Sequence, residues 1–328
     1  VPAKVISVEE KNETIGEIDR TLQVLTVRIL GDEGGEVIVK NDGPSAIYDQ
    51  QKIEKDEIIL ITKNRELPAS PYYIVDRFRL FPLILIGICF IGSVIALARW
   101  KGLGSLAGLI VTMAIIGLYI IPQLLSGSDP LLVSFIGAVI IALTSLYLAH
   151  GVQSRTTIAM ISTLITLVLS VVATYACIVW MRFVGGGSEE AFFLQLKAGS
   201  VDLHGLILAG IIIGMLGILD DVTIGQAAAV HELHKANKSL TVAQLYSHGI
   251  SIGREHVASL VNTLALAYVG TSLPLVLLFT VSSKTTPLWL LLNGQPIAEE
   301  IVRTLIGSIV LITAVPITTF LAAWFYGR

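Results

Sequence analysis

Charged residues are scarce in this sequence and unevenly distributed. They make up 14% of the 328 residues, against 54% hydrophobic residues, whereas soluble domains carry about 25% charged residues. The first 80 residues hold 11 of the 22 Lys and Arg and 15 of the 25 Asp and Glu, so the other 248 residues carry only 21 charges. We therefore predict a small soluble domain at residues 1–76 and an integral membrane domain at residues 77–328.

Motifs of nucleotide-binding and hydrolytic enzymes are missing as well. There is no Gly-x4-Gly-Lys-Ser/Thr loop and no Gly-x-Gly-x-x-Gly between a strand and a helix, which argues against ATP-driven transport within this chain. The run His231-Glu-Leu-His234 lacks the His-Glu-x-x-His spacing of zinc proteases, and no Gly-x-Ser-x-Gly nucleophile occurs. A net charge of −3 without a basic run argues against nucleic acid as a partner. We expect no enzymatic activity.

Cysteine is limited to Cys89 and Cys177, each within an apolar segment. Neither belongs to a metal or disulfide spacing motif, so both are interpreted as small hydrophobic side chains. The sequence begins with Val1 rather than with methionine. We therefore expect an upstream signal or anchor helix to be missing from it.

The soluble segment alternates polar and apolar residues in the manner of β-strands. The predicted strands are Ala3–Val8, Leu22–Leu30, Glu36–Lys40 and Asp56–Thr62. A glycine-rich turn at residues 31–35 joins the second to the third. Several short strands in about 75 residues favour a small barrel, OB-like or SH3-like. Because no aromatic platform or basic groove is present, a generic β module without a ligand stays open.

Seven apolar stretches follow, each near the roughly 20 residues that a helix needs to cross a bilayer. They are residues 81–98, 103–121, 131–149, 158–180, 204–221, 257–281 and 301–324. Lipid tolerates only helices or closed barrels. We therefore predict an α-helical integral membrane bundle of about seven transmembrane helices, preceded by a small extracytoplasmic all-β barrel-like domain. The lipid bilayer is its expected partner.

Basic residues indicate the orientation of the chain. The loop at residues 99–102 is half basic, whereas the loop at residues 122–130 has no Lys or Arg. By the positive-inside rule, the β domain lies outside and the C-terminus inside, with a cytoplasmic segment at about residues 222–255.

Glycine and proline patterns bear on how the helices pack. Gly104-x3-Gly108 and Gly210-x3-Gly214 predict close helix contacts, and they leave a homo-oligomer open. Pro274 and Pro316 lie inside the sixth and seventh stretches and should kink or interrupt them. Broken helices expose backbone carbonyls to substrate in transporters, although isolated kinks without that role are the alternative.

The most informative feature is a pair of adjacent carboxylates at the end of an uncharged helix. Asp220 and Asp221 directly follow residues 206–219, which contain no charge and no proline. An ion in lipid costs several kcal/mol unless it is paired or hydrated. The pair is therefore a functional-site hypothesis.

Polar groups converge on one face when residues 220–234 are projected as a helix. The residues within a sector of ~80° are Asp220, Thr223, Ala227, His231 and His234. Carboxylate oxygens, with or without imidazole, suit a divalent cation, so the predicted metal ligands are Asp220, Asp221 and His231. The alternative is that residues 231–239 form the solvated end of a helix, where histidines are ordinary surface residues.

Arg254 is the predicted counter-ion of the two aspartates. A paired Asp would stay ionised, whereas an unpaired Asp in this setting would favour its protonated form. The alternative is that Arg254 only anchors its helix at the interface. Near it, Glu255, Ser259 and Asn262 share a helix face.

Two further local predictions concern the neighbours of this segment. Ser239 is the predicted N-cap of a short helix, Leu240–His248, and Gly249 is its predicted end. His150, at the end of the third stretch, is interpreted as an interfacial residue.

Two long runs in this region resemble the YibE/F-like family of bacterial multipass membrane proteins. They are GMLGILDDVTIGQAAAVHEL at residues 214–233 and HGISIGREHVASLVNTLALA at residues 248–267. The resemblance continues through Tyr268-Val269-Gly270 and Ala314-Val315-Pro316-Ile317-Thr318. It implies a multipass fold with an extracytoplasmic β domain and a further N-terminal helix in many members, in the bacterial inner membrane. It implies no settled activity.

Two functions are consistent with these observations. The first is a secondary transporter or exporter of a small solute or ion, either a divalent cation or a proton-coupled substrate. Its predicted pathway residues share polar side chains within the motif: Asp220, Asp221, Thr223, Gln226, Glu232, Arg254, Glu255 and Asn262. The second is a cell-envelope scaffold or receptor that transports nothing and whose outer β domain binds a partner.

Overall fold

The computed structural model describes residues 1–15, 18–31, 34–41, 52–63, 72–185, 189–197, 201–282 and 287–328. The chain divides into two units, Val1–Ser93 and Val94–Arg328. A five-stranded barrel stands at the N-terminus, and the described residues that follow it are mostly helical.

The barrel is closed in the strand order β1-β2-β3-β5-β4. Its strands are β1 (Pro2–Ile15), β2 (Ile18–Ile29), β3 (Glu36–Asn41), β4 (Ile58–Thr62) and β5 (Tyr73–Arg77). β4 returns to lie beside β1, which makes a Greek key, and β5 closes the ring next to β3 and β4. A five-stranded Greek-key barrel corresponds to the OB-like alternative. The sequence predicted four of these strands and missed β5.

Alternation along the strands builds the interior of the barrel. Val5, Leu25 and Ile59 point inwards and are fully buried. On the outer surface, however, three large apolar side chains of the neighbouring strands β3 and β5 stay exposed. They are Ile38, Tyr73 and Val75, with 66%, 48% and 57% of their surface accessible.

The helical part begins with α1 (Leu80–Ile115) and a π-helical turn (Ile116–Ile120). The further helices are α2 (Ile121–Leu125), α3 (Pro130–His150), α4 (Ser154–Met181), α5 (Glu189–Lys197), α6 (Leu203–Ala236), α7 (Val242–Thr271), α8 (Leu273–Ser282), α9 (Leu288–Asn293) and α10 (Gln295–Tyr326). Among the described residues, five segments are long and apolar enough to cross a membrane: 80–125, α3, α4, α6 and α10.

The first two predicted stretches share α1, which bends sharply at Arg99. Arg99 has φ 51° and ψ −128°, outside the helical region. A Cβ on Gly102 would lie 2.7 Å from the carbonyl oxygen of Val94, although eight residues of straight helix span about 12 Å. The sixth predicted stretch is divided at Ser272 into α7 and α8, next to Pro274. In contrast, Pro316 lies inside an uninterrupted α10.

α6 is the central helix of the second unit because it packs on α3, α4, α7 and α10. It runs parallel to α3 in a constant register. At one end, a Cβ on Gly205 would meet Pro130. Fifteen residues further along both helices, Ser145 meets Asp220. The uncharged run before the Asp pair is therefore the buried axis of the bundle, with Ile211 and Ile212 at its core.

The prediction of a short helix ending at Gly249 is wrong. Thr241, not Ser239, is the N-cap, and it forms a capping box with Gln244. The helix then continues through Gly249 as α7. Gly249 is a packing residue, because a Cβ there would lie 2.7 Å from Thr319 Cγ2 and 2.9 Å from Val230 Cγ2.

Candidate functional site

Asp220 lies between α6 and α3, inside the helical unit. Its Oδ2 accepts a 2.9 Å hydrogen bond from Ser145 Oγ. Its Oδ1 is buried and has no hydrogen-bond partner within the part of the chain that the structure describes. Ser145 lies five residues before the end of α3, which is about 8 Å along the helix. Ser145 is therefore midway between the middle and the C-terminal end of α3, and Asp220 lies at the middle of α6 (Leu203–Ala236).

Asp220 and Asp221 open onto a cavity of about 380 Å³ between the C-terminal half of α1, α3 and α6. Its polar lining consists of Ser105, Thr112, Ser145, His150, Asp220 and Asp221. Its apolar lining includes Leu109, Met113, Ile116, Ile141, Ile213 and Leu216. The volume is within the ~300–1,000 Å³ range of small-molecule sites.

The carboxylates lie towards one end of this acidic cavity. α1 runs antiparallel to α3 along it, since a Cβ on Gly108 would lie 3.5 Å from Ser145 Cα and one on Gly104 would meet Leu148. Ser105 is consequently level with the end of α3, whereas Ile116 lies eleven residues away, roughly 16 Å along the helix. The carboxylates belong to the Ser105 end.

The two glycine patterns behave differently. Gly104 and Gly108 bring α1 onto α3 by their lack of a side chain, so the predicted close packing is confirmed there. Gly210 makes no such contact: a Cβ would meet no described atom within 4 Å, and Gly214 would meet only Tyr268 Oη, at 3.9 Å.

Thr223 and Gln226 hold helices together rather than line the acidic cavity. Thr223 Oγ1 lies 2.7 Å from Thr163 Oγ1, and both residues are fully buried. Gln226 Nε2 donates 2.7 Å hydrogen bonds to the Gly249 carbonyl oxygen and to Thr319 Oγ1. Buried polar groups in a bundle are expected to be satisfied in this way.

His231 and His234 of α6 face the end of α10. The ring centroids of His231 and His234 lie 4.8 Å and 5.7 Å from that of Tyr326. Glu232 points outwards, with Lys235 Nζ 3.9 Å from its carboxylate. Among the described residues no three His, Cys, Asp or Glu side chains are grouped so as to hold a metal ion. His231 is therefore not brought together with Asp220 and Asp221.

The predicted pairing of Arg254 with the aspartates is not formed. Arg254, Glu255 and Asn262 are exposed on α7, and no ion pair within the described chain joins Arg254 to Asp220 or Asp221. The reason is the face that α7 presents to the core, which carries Leu245, Gly249 and Gly253. Asp220 is bonded instead by Ser145 of α3.

Sequence reasoning missed four residues of the acidic cavity: Ser105, Thr112, Ser145 and His150. Ser105 and Thr112 share a helix face with Gly108 at spacings of three and four, which was an available signal. A hydroxyl on an apolar helix usually bonds its own backbone, so Ser145 gave no such signal. His150, which the sequence suggests is interfacial, also lines the cavity at the end of α3.

A smaller cavity of about 150 Å³ lies at the opposite ends of α3 and α6. It is lined by Asp129, Asp202 and His204, and it reaches Leu208. Both aspartates are helix N-caps. On α6 the larger cavity begins at Ile213, so about 8 Å of helix separates the two.

Comparison with known proteins places the chain in a family. No curated protein and no solved structure matches it. The model of the family described as YibE/F-like protein matches residues 86–328, which include the Asp pair and every helix of the acidic cavity. Together with five helices long and apolar enough to cross a membrane, this match indicates a multi-pass membrane protein. The chain belongs to the YibE/F-like family.

Proposed function

We propose that this chain is a secondary transporter or exporter of a small solute or ion, with Asp220 and Asp221 as its working site. The observation that supports it most is the acidic cavity, in which one oxygen of Asp220 is buried without a partner among the described residues. An intramembrane carboxylate left in that condition is costly, and a cationic cargo or a proton removes the cost. A divalent cation and a proton-coupled solute are both consistent with this chemistry. The proposal includes no enzymatic activity.

The proposed topology has seven spans in a bacterial inner membrane. The bend at Arg99 divides α1 into two spans, and α7 with α8 supplies the sixth. The basic loop at residues 99–102 supports a cytoplasmic position for this bend. The β domain then lies outside and the C-terminus inside, so the acidic cavity is closer to the cytoplasmic side. The exposed Gly210 and Gly214 leave a face on which a homo-oligomer could form.

The two cavities support transport by alternating access. One lies at the N-terminal ends of α3 and α6 and the other at the C-terminal half of α3 and the middle of α6, and Ile211 and Ile212 are buried between them. Transporter sites are reached from one side at a time while packed helices close the other side. In this proposal, a shift of α6 against α3 opens the smaller cavity towards Asp220 while the acidic cavity closes.

Flux through liposomes tests the proposal. The purified chain is reconstituted and assayed with monovalent and divalent cations, protons and organic cations, beside Asp220→Asn and Asp221→Asn. Glu232→Gln is the matched control, because it neutralises a carboxylate of the same helix outside the cavity. We expect flux that both Asp variants reduce by about tenfold or more and the control preserves. Equal flux in all variants, or no flux for any candidate, contradicts the proposal.

A scaffold or receptor function is the second candidate. The exposed Ile38, Tyr73 and Val75 on neighbouring strands favour it, because apolar side chains grouped on a surface mark interaction sites. Its partner would bind the outer face of the barrel. Deleting residues 1–75 should then abolish the function of the protein in cells, whereas Asp220→Asn and Asp221→Asn should preserve it. If the protein is a transporter, the two Asp variants should instead lose that function.

A further inference from the structure

The charge of the acidic cavity restricts what it binds. Two carboxylates line it, and its described lining includes no Lys or Arg. An anion would therefore meet only like charge at Asp220 and Asp221, which is strongly unfavourable at low dielectric. Hydroxyl groups of Ser105, Thr112 and Ser145 add acceptors that suit a hydrogen-bond donor.

The size of the acidic cavity and its ligand set argue against a bare metal ion. Mg²⁺ and Ca²⁺ need six or more oxygen ligands at about 2.0–2.6 Å. The described residues contain no group of three His, Cys, Asp or Glu side chains, and a volume of about 380 Å³ is far larger than one ion requires. The space suits a molecule.

The distribution of polarity indicates the shape of that molecule. The two carboxylates lie with Ser105 and Ser145 at one end, and one carboxylate oxygen, Asp220 Oδ1, is buried and unpartnered among the described residues. Towards the other end the lining is mainly Met113, Ile116 and Ile213. A ligand with one cationic head and one apolar body would satisfy both ends.

We propose that the acidic cavity binds a small organic cation, a primary ammonium head on an apolar body. The head donates to Asp220 and Asp221, and the body lies along Leu109, Met113 and Ile213. This inference rests on the proposed function, since it names the class of cargo for the same site.

Binding to the full chain in lipid nanodiscs tests the inference. The probe is hexylammonium, and its binding is measured by calorimetry with empty nanodiscs as the reference. Hexanol has the same body without the charge, hexanoate has the opposite charge, and methylammonium has the head alone. We expect saturable binding of hexylammonium, at least about 100-fold weaker binding of methylammonium because buried CH₂ groups are lost, and no saturable binding of the other two.

Three variants locate the site. Asp220→Asn keeps the side-chain volume and should weaken hexylammonium at least about tenfold. Met113→Trp fills the apolar end, so it should weaken hexylammonium and leave methylammonium unchanged. Met113 is 55% exposed, so this replacement does not depend on repacking a closed core. Glu232→Gln is the control and should bind as the wild type does.

Several results overturn the inference. The inference is wrong if hexanol binds as tightly as hexylammonium. It is also wrong if neither Asp220→Asn nor Met113→Trp changes the binding of hexylammonium. Saturable binding of a divalent cation in place of any alkylammonium also overturns it. If that cation or protons flux in an Asp220-dependent way, the transporter stands and only the cargo class falls. If hexylammonium binds as expected but nothing is transported, the ligand class stands and the proposed function falls.

Discussion

Ser145 Oγ donates a 2.9 Å hydrogen bond to Asp220 Oδ2 and thereby joins α3 to α6 at the acidic cavity. The bond holds one carboxylate oxygen in a fixed position while the other, Oδ1, has no partner in the described chain. Asp220 is therefore oriented by the protein and still able to accept a donor from a ligand.

The first prediction tests this bond by a double-mutant cycle. Ser145→Ala and Asp220→Leu, which removes the acceptor, should show a coupling of about 1 kcal/mol, the usual size for a hydrogen bond between membrane helices. Unfolding free energies of the two single variants and the double variant measure it. The matched cycle of Ser145→Ala with Asp221→Leu should be additive, since the Ser145 bond goes to Asp220. Additivity in both cycles would show that the hydrogen bond contributes nothing.

The five long apolar helical segments followed from composition, because a segment that crosses lipid must be apolar and must satisfy its backbone by forming a helix. Composition did not predict which residues of different helices contact one another. Arg254 is the predicted counter-ion of the aspartates if the fifth and sixth stretches pack together. The two helices do pack, but a single sequence does not show which residues of α6 and α7 lie level with each other. Ser145 was missed for the same reason, because its contact with Asp220 depends on how the parallel helices α3 and α6 are aligned.

Some local sequence patterns are compatible with two different structures, and there the prediction was wrong. Gly249 looks like a helix end, since glycine is the common C-cap, yet it is where α7 approaches α6 and α10. β5 was missed for a different reason. It has five residues, and it directly precedes the apolar run that attracts the helical assignment.

The second prediction concerns Gly249 as a packing residue. Gly249→Ala should destabilise the protein by about 1–3 kcal/mol, because its Cβ would meet the stiff β-branched side chains of Thr319 and Val230. Gly270→Ala is the control in the same helix, with no described atom within 4 Å of its Cβ. It should be neutral or stabilise by up to about 1 kcal/mol. Thermal unfolding in one detergent compares the two, and equal effects would contradict the packing role.

The third prediction separates the two candidate N-caps of α7. Thr241 Oγ1 accepts from the Gln244 backbone N–H at 3.4 Å, and the Gln244 side chain accepts from the Thr241 backbone N–H at 3.0 Å. Thr241→Ala should therefore cost about 1 kcal/mol. Ser239 bonds Asn237 in an exposed turn and no other residue in the described part of the chain, so Ser239→Ala should cost less. Hydrogen exchange of the first turn of α7 reports both, and the opposite order would restore the sequence-based assignment.

The fourth prediction concerns pH and the barrel. The hydrogen bond from Lys4 and its positive charge, with Lys4 Nζ 2.8 Å from the carboxylate, hold the pKa of Asp56 below its ordinary value of 3.8. Because the folded pKa is lowered, the pair stabilises the barrel above pH 3.8, and that contribution is lost as the pH falls through the lowered pKa. Lys4→Met should raise the pKa of Asp56 towards 3.8 in a carbon-detected NMR titration. Lys40→Met, a control on β3, should leave it unchanged, and an unshifted pKa in Lys4→Met contradicts the assignment.

The fifth prediction concerns Gln226, whose amide joins three helices. Nε2 donates to the Gly249 carbonyl of α7 and to Thr319 Oγ1 of α10, each at 2.7 Å. Gln226→Leu removes the donor and should cost about 1–2 kcal/mol in unfolding free energy. Gln226→Glu should cost more, because an ionised carboxylate would place an acceptor against two oxygens at a site where the residue is 3% exposed. The order of the two variants is the test: if Glu is tolerated better than Leu, the amide is not acting as the donor that holds α7 and α10 on α6.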